Sequence, residues 1–178
     1  VVIFMHWAEK IAKQIIESIL SKYLKENDLK KKDFPDKKII YHYGSTSINK
    51  DVSIDVVNEG ANQFPLWIVS AIEEILEEYK KRKLESNTMD FDDMIVNFGK
   101  LLEIDEIRKE ISRQYKYILV DEYQDINHIQ AKIIKLLNKG NNNLFAVGDA
   151  NQAIYSWRGS DVNFIENFNR QFLNTETL

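Results

Sequence analysis

Two stretches decide how this chain folds: Tyr117-Ile118-Leu119-Val120-Asp121-Glu122-Tyr123-Gln124-Asp125, and Leu144-Phe145-Ala146-Val147-Gly148-Asp149-Ala150-Asn151-Gln152-Ala153-Ile154-Tyr155-Ser156-Trp157-Arg158-Gly159. Each opens on a dense apolar run and stops at an acid, the pattern of a buried strand. Between them Ile126, Ile129, Ile133, Leu136 and Leu137 recur at helical spacing, and residues 139–143 form a loop. Beyond them Phe164, Ile165, Phe168 and Phe172 mark a last helix. Strand, helix, strand, loop, helix is the βαβ rhythm of a parallel sheet, so the fold class is α/β. In open parallel sheets, functional residues gather at the carboxyl ends of strands. Asp121 and Asp149 stand at those ends.

Upstream, the texture is mostly helical. Residues 7–26 read as a helix with a stripe of Ala8, Ile11, Ile15, Ile19 and Leu24, and residues 27–37 break it. Ile39-Ile40-Tyr41-His42-Tyr43 reads as a short strand closed by Gly44-Ser45-Thr46-Ser47, and residues 48–63 carry no clear period. A long helix follows from Pro65 to Ser86, with Trp67, Ala71, Ile75 and Leu76 as its stripe. Glu73, Glu74, Glu77 and Glu78 precede Lys80, Lys81, Arg82 and Lys83, the favourable order for i,i+3 and i,i+4 pairs. Thr88 or Asp90 caps another helix, and residues 105–115 are helical too.

Composition narrows the chemistry. The 178 residues fit one domain, or one domain with an insertion. A hydrophobic share of 44% is enough for a core, and scarce Gly (6) and Pro (2) disfavour an all-β chain. With no Cys, disulfides, thiolate zinc sites and a cysteine nucleophile are excluded, and three His leave little for a histidine metal cage. No apolar run approaches the ~18 residues of a membrane span, and the start lacks a basic, signal-like segment. The expectation is a cytoplasmic protein with no membrane partner. Because the chain starts at Val1, a fragment of something longer is also expected. The net charge of −4 gives no global pull toward nucleic acid, although residues 21–38 hold seven Lys against four acids.

The two strand ends carry the distinctive chemistry. Asp121-Glu122 delivers adjacent carboxylates to the sheet edge, on opposite sides if the strand's period of two continues. One suits a Mg²⁺ beside substrate phosphates, and the other suits an attacking water. Acids capping the next helix fit this segment equally well. Asp105-Glu106 is the same pair with no strand in front. In the second segment, Gln152 offers an amide for a phosphate oxygen or a water. Tyr155 and Trp157 offer faces for base stacking, and Arg158 offers a phosphate or cation–π contact. The two aromatics fit a core role beneath the next helix just as well.

Taken together, residues 121–125 and 147–159 resemble motifs II and III of UvrD/Rep/PcrA-type superfamily 1 DNA helicases, and Met89-Asp90-Phe91-Asp92-Asp93-Met94 resembles the segment that precedes motif II in that family. The resemblance implies a partial RecA-like P-loop NTPase lobe carrying a mainly helical insertion. Residues 1–20 would be the edge of lobe 1A, 21–87 a 1B-like insertion, and 88–178 the back half of lobe 1A. ATP and Mg²⁺ are the implied cofactors. Single-stranded DNA, single/double-strand junctions and the missing remainder of the same polypeptide are the implied partners. Asp121 would hold the metal, Glu122 would activate water, and Gln152 would sense the γ-phosphate. Tyr155 and Trp157 would meet bases, Arg158 would link the nucleotide and DNA sites, and translocation would run 3′ to 5′. Met5-His6-Trp7 resembles a drifted DNA-contact motif, which would put His6 on DNA; residues 4–16 fit the earlier motif Ia instead.

The chain departs from the family pattern in one respect that matters. No Gly-x-x-x-x-Gly-Lys-Ser/Thr occurs: Gly99-Lys100 is followed by Leu101-Leu102, and Gly44-Ser45-Thr46 lacks the Lys. The later motifs of a second lobe are absent as well. Poor ATP hydrolysis by this chain alone is therefore expected. Two other readings stay open: a non-catalytic DNA-binding or protein-docking relative, and a Mg²⁺ nuclease or phosphohydrolase built on Asp121, Asp125 and Asp149.

Overall fold

A computed structural model describes residues 2–61, 63–139, 143–156, 159–172 and 175–176, with side chains in the first helix described from Glu9 onward. The chain divides into two compact units, Val1–Met94 and Ile95–Leu178.

The first unit is all helical: α1 (Val2–Glu26), α2 (Lys37–Lys50), α3 (Ile54–Glu59), α4 (Leu66–Glu85) and the first turn of α5 (Phe91–Glu103). Its core joins Ile16 and Leu20 of α1, Ile40 and Tyr43 of α2, Val57 of α3, and Ile72 and Ile75 of α4. The buried face of α1 is Ala12, Ile16, Ile19, Leu20 and Leu24, while Ile11 is exposed. The expected stripe was therefore turned by about one residue. Trp67 is likewise half exposed, and Ile68, Ala71, Ile72, Ile75 and Tyr79 form the inner face of α4. Pro65 sits one place before the helix, at its N-cap.

Residues 39–43 form part of α2 and not a strand. The β-branched and aromatic run Ile39–Tyr43 misleads, because propensity is a weak prior that packing overrides. Ile40, Tyr43 and Thr46 are buried at a spacing of three, which only a helix can direct to one side. Asp36 caps this helix, its carboxylate accepting from the backbone N–H of Lys38 (2.8 Å) and Ile39 (3.0 Å). Gly44 is not a turn but a helical residue set close against α4: an added Cβ would lie 2.8 Å from a methyl of Leu76. The lysine-rich stretch connects two helices, and Lys31 and Lys37 both pair with Glu17.

The second unit holds the remainder of α5, α6 (Asp105–Gln114), β1 (Ile118–Val120), α7 (His128–Asn138), β2 (Leu144–Ala146), α8 (Asn163–Glu166) and α9 (Phe168–Gln171). The strands pair in parallel, with Ile118 opposite Leu144, Leu119 opposite Phe145 and Val120 opposite Ala146. This is the expected βαβ unit. One face, with Val120, Leu144 and Ala146, packs against the core of Tyr123, Ile126, Ala131 and Ile134, on which Phe164, Ile165, Phe168 and Phe172 also pack. The other is open: Leu119 is 74% exposed and Phe145 51%, so these strands are half buried where full burial was expected. The last helix is divided into α8 and α9 at Asn167. Among the described residues, no helix is long and apolar enough to cross a membrane.

Candidate functional site

The ladder carries past the strands. Val147 N–H donates to Val120 O (2.8 Å), and Tyr123 N–H donates to Val147 O (2.9 Å). Between those bonds the backbone changes hand. Glu122 has φ 51° and ψ 45°, the left-handed region that an L residue enters at a cost of roughly 1–2 kcal/mol. The Asp121 carboxylate accepts from the Glu122 N–H (3.0 Å) across this bend. The two acids are therefore not arranged by strand alternation. Glu122 has left the strand, and its side chain turns toward the 3-10 turn Tyr123–Asp125 that follows.

Gln124 lies in that turn and is 1% exposed. Its Nε2 donates to Glu122 Oε2 (2.7 Å), and its Oε1 accepts from the backbone N–H of Asp149 (3.0 Å). Gly148 leaves room for this approach: a Cβ there would stand 2.5 Å from Gln124 Oε1, 2.7 Å from Ile165 Cδ1 and 3.0 Å from the Tyr123 nitrogen. Asp149 in turn accepts from the Asn151 N–H (2.9 Å) and from Gln152 Nε2 (3.0 Å). These two donors hold its carboxyl below the ordinary range. A continuous path of hydrogen bonds thus joins Glu122, Gln124, Asp149 and Gln152.

The loop is anchored again at its far end. Ser160 forms an antiparallel bridge with Asn127, and Asp161 N–H donates to Ile126 O (3.2 Å). His128 Nε2 lies 3.5 Å from Asp161 Oδ2, and its ring meets Phe164 edge-on at 4.9 Å. Asn127 also caps α7 through a reciprocal capping box with Gln130. Both ends of the loop therefore rest on the segment that follows β1. Tyr155, 40% exposed, stands on the loop between them. Trp157 and Arg158 lie outside the described residues. His6 falls within α1, where its side chain is also outside the described set.

Asp121 is exposed, and one of its oxygens is occupied by the Glu122 N–H. A single carboxylate at a strand end fits Mg²⁺, which keeps waters and substrate phosphates as its other ligands. Among the described residues, no three His, Asp or Glu side chains converge as a metal-holding group.

The family described as "UvrD/REP helicase N-terminal domain" matches residues 4–173, nearly the whole chain. The chain belongs to that family. Relatives of this UvrD/REP chain include the "ATP-dependent DNA helicase PcrA" of Bacillus subtilis, 32% identical over 90% of this chain and 21% of the relative. A "Probable DNA helicase II homolog" of Mycoplasma capricolum is 37% identical over 91% of this chain and 22% of its own length. The "ATP-dependent DNA helicase Rep" of Buchnera aphidicola is 44% identical over 52% of this chain and 14% of its own length. The UvrD/REP chain thus spans about a fifth of the length of the first two relatives. Its geometry adds one residue that sequence reasoning passed over, Gln124. The only local hint is Gly148, a glycine at a strand end, which marks close approach without saying of what.

Proposed function

We propose that this chain is part of the N-terminal motor lobe of an ATP-dependent DNA helicase or translocase, cytoplasmic, moving 3′ to 5′ on single-stranded DNA and opening duplex at junctions. Residues 21–87 are the 1B-like insertion of that motor, and residues 1–20 and 88–178 belong to its RecA-like lobe. The observation that carries this reading is the hydrogen-bonded path from Glu122 through Gln124 and Asp149 to Gln152, at the carboxyl ends of two parallel strands.

Each residue has a task. Asp121 holds Mg²⁺, which supplies neutralising charge to the substrate phosphates when bound. Glu122 accepts a proton from the attacking water. Gln152 donates its amide to the terminal phosphate of ATP. Tyr155 and Trp157 stack on bases, each contact contributing about 1–3 kcal/mol, and Arg158 and His6 add contacts to the DNA strand. Coupling is short because the loop bearing Tyr155 begins and ends on the segment that bears Glu122.

The test uses the longer polypeptide that carries this chain together with a phosphate-binding loop. DNA-stimulated ATP hydrolysis is expected, with a loss on the order of 100-fold or more in Glu122→Gln. Hydrolysis indifferent both to single-stranded DNA and to Glu122→Gln would overturn the reading.

A further inference from the structure

Among the described buried polar and charged side chains, Gln124 is the least exposed, at 1%. Burying an amide is costly unless it is hydrogen-bonded, and a methionine of similar volume would fill the space without that requirement. Its orientation is fixed by its neighbours. The Asp149 N–H can only donate, so it faces Oε1; an ionised Glu122 can only accept, so it faces Nε2. The amide thus spans two segments 25 residues apart in sequence, and Gly148 lacks the Cβ that would block it.

We infer that Gln124 is a positioning residue, which clamps the Glu122 carboxylate to the backbone of the loop carrying Gln152, so that the water-activating acid and the phosphate-sensing amide keep one register. This rests on the ATPase reading above. Glu122 needs such a clamp. It sits on a left-handed backbone at an exposed strand end, where a free carboxylate would sample several rotamers. Gln152 meets the same clamp from the other side, since the Asp149 N–H donates to Gln124 Oε1 while Asp149 Oδ2 accepts from Gln152 Nε2. A movement of either group is then felt by the other through one amide plane.

The test has two arms. In this chain, ¹⁵N NMR compares wild type with Glu122→Ala and Gln124→Met. The Gln124 side-chain amide signal is expected to move in Glu122→Ala, and solvent exchange of the Asp149 N–H is expected to rise about tenfold or more in Gln124→Met. A Gln124 signal indifferent to Glu122→Ala, or unchanged Asp149 exchange in folded Gln124→Met, overturns the clamp. In the longer polypeptide, Gln124→Met is expected to lower kcat for DNA-stimulated ATP hydrolysis on the order of tenfold or more, with KM for ATP within about threefold. Gln124→Glu keeps the acceptor for Asp149 but repels Glu122, and is expected to fall as far. A residue that only fills space would leave Gln124→Met near wild-type turnover, and that result refutes positioning. If wild type shows no DNA-stimulated hydrolysis, the functional reading fails while the first arm still decides the clamp.

Discussion

Lys83 Nζ lies 2.7 Å from Asp90 Oδ2, with both side chains about nine-tenths shielded from water. The ammonium also reaches Asp93 Oδ2 at 2.6 Å and stands 4.5 Å above the Tyr79 ring, whose hydroxyl donates to Asp90. Asp90 and Asp93 exchange backbone-to-carboxylate hydrogen bonds at 2.9 Å, a reciprocal cap on α5. The last turn of α4 is thereby tied to the start of α5. Removing one partner of a buried ion pair leaves an uncompensated charge, which typically costs about 3–5 kcal/mol. Lys83→Met is expected to destabilise the chain by that amount in urea unfolding. Lys83→Met with Asp90→Asn is expected to recover part of the loss. A loss below about 1 kcal/mol would show that the pair is not the tie.

The same cluster sets a pH dependence. Burial pushes the Asp90 carboxyl up, but the hydrogen bond and charge of Lys83, with the Asp93 N–H, bring it below its ordinary value. Its contribution is therefore complete above about pH 3.9, the unfolded value, and fades as pH falls through the folded one. Asp92 behaves oppositely. Burial is its main influence and raises its carboxyl, with Asp90 adding repulsion. Its ionisation in the folded state costs stability, which is lost as pH rises through that raised value. Asp92→Asn keeps an oxygen for the Asn49 amide and is expected to raise Tm by a few degrees at pH 7 but not at pH 3. Equal shifts at both pH values would contradict this account.

Tyr123 offers a simpler test. It is fully buried, and its hydroxyl finds no hydrogen-bond partner among the described residues. Burial alone pushes the phenol up to about 12. The ring itself is well placed, edge-on to Phe168 at 5.2 Å. Tyr123→Phe keeps the ring and removes an unsatisfied group, so a gain of about 1 kcal/mol is expected in thermal or urea unfolding. A loss would mean that the hydroxyl is bonded after all.

Nucleotide binding by this chain alone should be poor. Its 178 residues contain no phosphate-cradling Gly-Lys-Ser/Thr loop. Titration calorimetry with Mg·ATP is expected to give no saturable heat at micromolar concentrations. A micromolar Kd would mean that Gln152 and the strand-end acids bind nucleotide unaided.

Several elements were legible because their cause is local. The helical periods of α1, α4 and α7 and the apolar runs of β1 and β2 announce themselves in a short window. The stripe of α1 came out about one residue off, since a helical period fixes a face only to within such an angle. Residues 39–43 failed for the opposite reason. Their cap, Asp36 after Pro35, is a helix start, but in the sequence the β-rich run outweighs it; the deciding fact is the burial of Ile40 and Tyr43 with α1 and α4. In the site, Asp121 and Glu122 stand out as acids at a strand end, and Gln152 as an amide in the loop after β2. Gln124 did not, because its meaning lies in the distance to Asp149, which no window of sequence contains.

The open side of the sheet bears on how this chain should be handled at the bench. Leu119 and Phe145 face each other across the strand pair, flanked by the exposed Tyr117 and Val147. Such a patch is expected to bind fluorescent dyes such as ANS in the fully native chain, and a bright signal that persists alongside intact near-ultraviolet dichroism would then report this patch and not molten packing. Near-ultraviolet dichroism of the buried Tyr43 and Tyr123 is the better gauge of intactness.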